Sequence, residues 1–210
     1  MDRREQIKRA LDETFEGAWR VGDPWDLETS RLDQESYSRQ LALVGDRRYG
    51  RVLEIGCAAG AFTRRLATVA DRVLALDVAP SAIERARQDV PPNVEFRAGD
   101  VMELDPVREG PWDLVVMSET IYYLGWLYTF FEVGWLADQV FEATQPGGRF
   151  LMANSYGSSS QSLMQPWLID TYRDLFVNVG FKLEARESFR SEKGGAEFET
   201  TIWLYEKPSG

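Results

Sequence analysis

The chain has 210 residues, a formal net charge of −10, 44% hydrophobic residues and 28% charged residues. This length and composition are typical of one α/β domain with a substantial core. The acidic balance argues against a nucleic-acid binder, which needs a basic face, and favours a cationic or neutral partner, unless the charge serves solubility alone.

The sequence contains no histidine and one cysteine, Cys57. The lack of histidine excludes histidine-based acid–base catalysis and histidine metal ligands, and with one cysteine no zinc site is expected. A proton acceptor would have to be Asp, Glu, Tyr, Lys or the cysteine. The charged N-terminus has no signal-peptide core, and no run approaches the roughly 18–20 apolar residues of a membrane span. We therefore expect a cytoplasmic protein that binds neither membranes nor nucleic acids.

The N-terminal segment predicts a helical cap. Apolar residues four apart predict an amphipathic helix over residues 3–17. The sequence GDPW at 22–25 breaks this helix, and a second helix is predicted over 36–44. Both precede the first strand, so within one domain we expect residues 1–48 to cover a site built by residues 49–210.

From residue 51 onward the sequence alternates between apolar strand-like runs and helix-like segments. The predicted strands span residues 52–56, 72–77, 93–97, 112–117 and 148–154. The predicted helices between them span residues 60–69, 80–88 and 126–144. This alternation is typical of a parallel sheet with helices on both faces.

The last third of the chain has a different pattern. A predicted helix over residues 166–179 is followed by two long runs, 181–190 and 197–206, which are joined at 192–195. The joining residues include a glycine pair, which is typical of an antiparallel hairpin. We therefore expect an α/β fold with a mostly parallel seven-stranded sheet and a C-terminal antiparallel hairpin at its edge.

The segment from Val52 to Thr63, VLEIGCAAGAFT, leads from a strand through a turn of small residues into a helix. Gly56 opens the turn and Gly60 begins the helix, so the main chain can approach a ligand closely. A dinucleotide site favours glycine where this chain has Ala58, and the turn lacks the Lys, Ser or Thr of a P-loop. A phosphate-free cofactor such as S-adenosylmethionine (SAM) therefore fits better; a plain strand–helix turn is the alternative.

Two acids follow the next two strands. Asp77 ends the second predicted strand, where a carboxylate can accept hydrogen bonds from both ribose hydroxyls. The alternative for Asp77 is a helix-capping acid before Pro80. Asp100 follows the third strand, where it can bind an adenine amino group beside Val101 or Met102, or simply cap its loop.

Ser118 to Tyr123 follow the fourth strand and should lie at the carboxyl end of the sheet, where α/β sites form. Glu119 is the candidate base, or the anion that steers a cationic amine; the alternative is a helix N-terminal acid. Tyr122 and Tyr123 can hydrogen-bond a substrate or only pack. Trp25 of the cap can close over a sulfonium by cation–π attraction or only anchor the cap.

Two further stretches are candidates for contact with a substrate or a partner. The aromatic stretch 125–135 is more typical of a core or an interface than of sugar stacking. The polar stretch 156–165 follows the fifth strand and can contact a substrate. Because the aromatic stretch can form an interface, we expect a monomer or a homodimer.

These motifs together resemble a class I SAM-dependent methyltransferase. The sequences that carry the resemblance are EIGCAAG, VLALD, FRAGDV, WDLVVMSETIYYL and QPGGRFLM. The chain is most similar to the nodulation-protein NodS family, through EIGCAAGAFT, the upstream DPW and TS, and Glu119 with the following YYL. The resemblance covers about residues 15–155 well, and implies a Rossmann-like fold with SAM as cofactor and S-adenosylhomocysteine (SAH) as product.

The residues and this resemblance together predict the site. The predicted catalytic residues are Glu119, Tyr122 and Tyr123. The predicted cofactor-binding residues are Trp25, Glu54, Gly56, Cys57, Ala58, Gly60, Asp77, Val78, Gly99, Asp100, Val101 and Ser118. No metal is expected.

The leading hypothesis is SAM-dependent methyl transfer to an amine of a sugar or sugar-like small molecule. NodS proteins N-methylate the free amine of a deacetylated chitooligosaccharide, an acceptor that no motif of this chain indicates by itself. O-methylation of a sugar or aromatic hydroxyl of a natural product is the alternative enzyme function. A nicotinamide dehydrogenase would need the glycine that Ala58 replaces. A SAM-binding regulator would bind SAH without any methyl transfer.

Overall fold

The computed structural model describes residues 3–157 and 165–210. Its centre is a seven-stranded sheet with the order β3-β2-β1-β4-β5-β7-β6. The strands are β1 (Tyr49–Ile55), β2 (Ala70–Asp77), β3 (Val94–Ala98), β4 (Trp112–Ser118), β5 (Thr144–Gly157), β6 (Lys182–Lys193) and β7 (Ala196–Glu206). Strands β1 to β5 run parallel, whereas β7 pairs antiparallel with β5 and β6. The predicted sheet and its C-terminal hairpin are confirmed.

Helices cover both faces of this sheet. They are α1 (Arg3–Leu11), α2 (Gly17–Val21), α3 (Arg31–Val44), α4 (Thr63–Leu66), α5 (Pro80–Ala86), α6 (Pro106–Glu109), α7 (Ile121–Leu127), α8 (Phe130–Ala143) and α9 (Pro166–Val179). Successive strand residues point to opposite faces. Val52 packs in the buried cluster that includes Ile83 of α5, and Leu53 in the cluster that includes Phe176 of α9. In the part of the chain that the structure describes, no helix is long and apolar enough to cross a membrane.

The predicted helix over residues 126–144 is wrong in its boundaries, because two helices, α7 and α8, cover this region. The N–H of Glu132 donates to Thr129 Oγ1 at 3.3 Å, and the N–H of Thr129 donates to Glu132 Oε2 at 2.7 Å. This reciprocal capping box starts α8 after a break in the chain. As a consequence, α7 begins two residues after Glu119 and carries both tyrosines predicted for the site.

The N-terminal segment covers the sheet in two ways. A helical arm, formed by α1, a π-helical turn over Asp12–Glu16 and α2, is anchored where Glu16 accepts bonds from the N–H (2.9 Å) and Oγ (2.6 Å) of Ser81. Trp19 of the arm is buried. In contrast, α3 packs on the sheet, with Tyr37 and Val44 in the buried cluster of that face. The arm is therefore the part that covers the carboxyl edge of the sheet, and the predicted division of the domain at residue 48 stays a prediction.

Candidate functional site

A cavity of about 440 Å³ is lined by residues at the carboxyl ends of β1, β2 and β4. The helical arm closes one side of it, with Phe15 and Trp19 in the wall. All the residues predicted for the site line this cavity except Gly60. The parallel sheet explains this convergence, because the carboxyl ends of its strands meet at one edge.

The turn after β1 has a left-handed backbone at Gly56 (φ +80°), Ala58 (φ +50°) and Gly60 (φ +80°). A Cβ on Gly56 would lie 2.3 Å from Thr120 Oγ1, so glycine is required there. A Cβ on Gly60 would lie 2.7 Å from the Phe96 ring. Gly60 therefore serves the packing behind the turn rather than the wall of the cavity, a distinction that the glycine spacing does not reveal.

Ala58 is strained, because a residue with a Cβ rarely adopts a left-handed backbone. The Ala58→Gly variant should raise the free energy of unfolding by about 0.5 kcal/mol, since relief of strain exceeds the partial loss of one methyl contact. Chemical denaturation measures this change. Ala59, the next residue, has no positive φ, so the Ala59→Gly control should lose about 0.5–1 kcal/mol. Equal destabilisation by both variants would contradict strain at Ala58.

The carboxylate of Asp77 is held by the backbone at the end of β2. Its Oδ2 accepts a bond from the N–H of Ala58 (2.8 Å), and its Oδ1 accepts one from the N–H of Ala79 (2.9 Å). Burial raises the pKa of this carboxyl, and the backbone donors oppose that shift. Each oxygen can accept a second bond. Asp77 therefore has the helix-capping role that was the alternative given for it, through its bond from Ala79. Its contact with the ribose stays a prediction.

Asp100 also combines a loop cap with a position at the cavity. Its Oδ1 accepts a bond from the N–H of Met102 at 2.9 Å, and its Oδ2 accepts one from the hydroxyl of Tyr128. Burial raises the pKa of Tyr128, which keeps its hydroxyl a donor. Tyr128 is not among the predicted site residues, because it lies at the break between α7 and α8, inside the single helix predicted over residues 126–144.

Glu54 and Cys57 are buried residues that line the cavity. Thr63 Oγ1 donates to Glu54 Oε2 at 2.5 Å. Burial raises the pKa of Glu54 to about 8, and the charge of Asp77 adds to the shift. Burial also raises the pKa of the Cys57 thiol. Glu54 is therefore largely protonated at neutral pH, and Cys57 stays a neutral thiol rather than a nucleophile.

Glu119 follows β4 with a left-handed backbone (φ +54°), which is strained for a glutamate. Its carboxylate accepts bonds from the N–H of Ser155 (3.1 Å), from Ser155 Oγ (2.7 Å) and from the Tyr122 hydroxyl (3.3 Å). Burial raises the pKa of Glu119 to about 7, although these bonds lower it. A carboxyl with such a pKa can gain and lose a proton near neutral pH, as a general base must.

Aromatic rings join the helical arm to the core along the cavity. Tyr122 and Tyr123 have centroids 4.4 Å apart, and Phe15 meets Tyr123 edge-on at 4.9 Å. Trp25 lies 6.3 Å from Phe15 and 5.7 Å from Trp19. Since these rings also line the cavity, Trp25 both anchors the arm and faces the site. Sequence periodicity alone gave Phe15 no role beyond the helix.

The aromatic stretch of α7 and α8 is divided between the core and the surface. Leu127 and Val133 are buried, whereas Trp126, Phe131 and Trp135 are exposed and do not line the cavity. No contact in the described residues tests whether these exposed rings form the predicted homodimer interface, so that interface stays a prediction. Most of the polar stretch predicted to contact a substrate, 158–164, lies outside the described residues.

The ionisable side chains of Asp, Glu, Lys and Arg that line the cavity are mainly acidic. The acids are Asp33, Glu54, Asp77, Asp100 and Glu119. Among the described residues, the one cationic side chain in this lining is Lys193, whose Nζ lies 2.5 Å from Asp33 Oδ2. Asp33 and Lys193 are not among the predicted site residues, because they are separated by 160 residues and belong to no local motif.

The sequence matches the family model of Nodulation protein S (NodS) over residues 8–131. This match covers more than half of the chain and includes the turn, both strand-end acids and Glu119. This chain belongs to the NodS family. The resemblance that the sequence motifs predicted is therefore confirmed.

Two NodS proteins illustrate the extent of the similarity. Nodulation protein S of Rhizobium tropici is 31% identical over 148 residues, which are 69% of this chain and 58% of that protein. Nodulation protein S of Bradyrhizobium diazoefficiens is 38% identical over 109 residues, which are 50% of each chain. The chain thus spans about half the length of the curated NodS relatives that it matches.

A solved NodS structure shares the fold. It is the N-methyltransferase NodS from Bradyrhizobium japonicum WM9 in complex with SAH, with a TM-score of 0.74 and 22% identity. The superposition covers 99% of this chain and 100% of that chain. The predicted Rossmann-like class I methyltransferase fold is therefore confirmed.

Proposed function

We propose that this NodS-family protein is a SAM-dependent methyltransferase that acts on an amine of a small, sugar-like molecule. The observation that carries this proposal is Glu119, a partly buried carboxylate whose pKa is raised to about 7, in a mostly apolar cavity whose ionisable side chains are mainly acidic. The name of the solved relative, an N-methyltransferase, supports the same reaction. A cytoplasmic location and a monomeric or homodimeric state stay predictions.

The cavity fits SAM better than a phosphate-bearing cofactor. A diphosphate would meet the like charges of several carboxylates, and among the described residues only Lys193 in the lining would attract it. SAM carries a cationic sulfonium and no phosphate. We infer that Asp77 accepts bonds from the ribose hydroxyls and that Asp100 faces the adenine amino group. Gly56 and Ala58 leave the main chain open to the methionine part.

When bound, SAM supplies an electrophilic methyl group on its sulfonium. The aromatic rings of Phe15, Trp25 and Tyr123 exclude water from the site, and their faces attract a cation. Glu119 attracts the ammonium of the acceptor and takes one of its protons, which leaves the nitrogen lone pair free to form the new bond to carbon. The hydrogen bonds from Ser155 hold the Glu119 carboxylate in place for this step.

Amine acceptors should be methylated faster than hydroxyl acceptors of the same shape, because the acidic cavity attracts only the ammonium form. Glucosamine and its oligomers can be compared with glucose and its matching oligomers, with SAH formation and product mass as readouts. We expect at least about tenfold faster transfer to the amine series. Equal rates would favour the alternative O-methyltransferase, and SAH binding without transfer to either series would indicate a regulator.

The cofactor assignment can be tested without an acceptor. Isothermal titration calorimetry should detect binding of SAH and no comparable binding of NADH. The expected difference follows from the acidic lining, which repels the diphosphate of NADH. Tight NADH binding would contradict the proposed function.

A further inference from the structure

The ammonium of Lys193 lies against the carboxylate of Asp33 at the wall of the cavity. Nζ and Oδ2 are 2.5 Å apart, and the Asp33 side chain is 9% exposed and the Lys193 side chain 26%. Asp33 lies in the first turn of α3, and Lys193 is the last residue of β6. The pair therefore joins two distant parts of the chain at the site proposed for methyl transfer.

Asp33 acts on the same region of the cavity as Glu119. Burial contributes most to the raised pKa of Glu119, and the negative charge of Asp33 adds to it. Both carboxylates line the cavity, together with Phe198 from the hairpin that carries Lys193. A cation bound by Asp33 is therefore within electrostatic reach of the proposed base.

The chemistry of Lys193 matches that of an amine acceptor. Its side chain ends in a compact ammonium with three donors on a flexible stem, which is also the head group of a protonated primary amine. Gly194 and Gly195 follow with positive φ values of +60° and +77°, and a Cβ on either would meet no atom within 4 Å. The turn beyond Lys193 is thus unpacked, and the side chain can leave Asp33 without disturbing a core.

We propose that the ammonium of Lys193 occupies the place of the acceptor's ammonium until the acceptor binds. The ammonium of the acceptor then displaces the Lys193 side chain from Asp33 and is positioned by the Asp33 carboxylate. This inference rests on the proposed amine methylation. Exchange of one ammonium for another keeps Asp33 paired, so it carries little electrostatic cost. A neutral acceptor that took the place of Lys193 would leave the buried Asp33 carboxylate unpaired, which is unfavourable. The pair thereby selects for acceptors that carry a positive charge.

Trypsin provides a test that does not depend on methyl transfer. The protease must bind a free lysine side chain to cleave after it, so the pair with Asp33 should protect the bond between Lys193 and Gly194. With SAH present and at constant ionic strength, glucosamine should speed this cleavage several-fold, whereas the neutral N-acetylglucosamine should not. Cleavage after Lys182, at the start of the same strand, reports general opening of the hairpin and serves as the internal reference.

The Asp33→Asn variant separates the two parts of the proposal. It should be cleaved after Lys193 as fast as the wild type with saturating glucosamine, and glucosamine should have no further effect. Protection that persists in Asp33→Asn would show that the pair does not hold Lys193. Fast cleavage of the variant, combined with no effect of glucosamine on the wild type, would show that amines do not displace the lysine. Either result overturns the inference.

The Lys193→Met variant tests the competition directly, because methionine keeps an apolar stem and removes the ammonium. Calorimetry in the presence of SAH should show about fivefold tighter binding of glucosamine to this variant than to the wild type. Unchanged or weaker binding would overturn the inference. If glucosamine binding to the variant is unchanged or weaker, but the wild type binds SAH and methylates an amine, this inference fails and the proposed function stands. If the wild type binds no SAH, the proposed function itself fails.

Discussion

The Glu119→Gln variant should lower kcat for an amine acceptor about 100-fold or more, the usual contribution of a general base. Glutamine keeps the shape of the side chain and one of the two oxygens that accept bonds from Ser155, but it cannot take a proton. Burial raises the pKa of Glu119 to about 7, so wild-type kcat/KM should rise with pH through about 7. The variant should lose that rise. If Glu119 only steers the ammonium, KM should increase and kcat should change little.

The exposed Glu142 of α8 provides a matched control. Glu142→Gln removes the same charge from the chain at a position that does not line the cavity. Its kcat and its pH profile should equal those of the wild type. An equal loss of activity in both variants would mean that the effect comes from net charge, and the assignment of Glu119 as the base would be wrong.

The same carboxyl should make the wild type less stable at alkaline pH. The pKa of Glu119 is about 7 in the folded chain and lies near 4.3 in an unfolded one, so the folded state binds its proton more tightly. The stability that this proton contributes is present at acid pH and is lost as pH rises through about 7. Thermal unfolding at pH 8 should therefore show a higher Tm for Glu119→Gln than for the wild type. A lower Tm at pH 8 would indicate that the ionised carboxylate stabilises the fold.

Local patterns in the sequence are sufficient to predict the sheet and much of the site. Alternating apolar runs identify the parallel strands, and the carboxyl ends of such strands must meet at one edge. Asp77, Asp100 and Glu119 can therefore be assigned to one cavity from their positions at the strand ends. Their chemistry depends on burial, which a pattern does not give, so the raised pKa values of Glu54 and Glu119 could not be anticipated.

Contacts between distant segments could not be predicted from the same patterns. Asp33 reads as an ordinary acid in the first turn of a helix, and Lys193 as a charged hairpin residue. Only the antiparallel packing of β6 and β7 beside α3 places them together at the cavity. The break before α8, in contrast, is predictable from the local sequence, because the spacing of Thr129 and Glu132 already encodes a capping box. The aromatic run around it favoured one long helix, and this obscured Tyr128.

The Asp77→Asn variant should weaken SAH binding about 100-fold, measured by calorimetry. The variant would lose or weaken two charge-assisted hydrogen bonds to the ribose hydroxyls. Each such bond contributes about 1.5–3 kcal/mol to the free energy of binding. The variant should also lose stability, because the N–H groups of Ala58 and Ala79 each use one oxygen of Asp77 and asparagine offers only one acceptor. Stability and affinity must therefore be measured separately.

Asp113 is the matched control for this experiment, because its Oδ2 accepts a bond from the N–H of Arg51 at 2.6 Å near the opposite edge of the sheet. Asp113→Asn should destabilise the fold through the same kind of backbone anchor and leave SAH affinity unchanged. Both substitutions remove a carboxylate that fastens neighbouring main chain, but only Asp77 lines the cavity, so a loss of affinity confined to Asp77→Asn would assign its effect to the cofactor site. Equal SAH affinity in the two variants would place the ribose away from Asp77 and would limit that residue to holding the turn at Ala58.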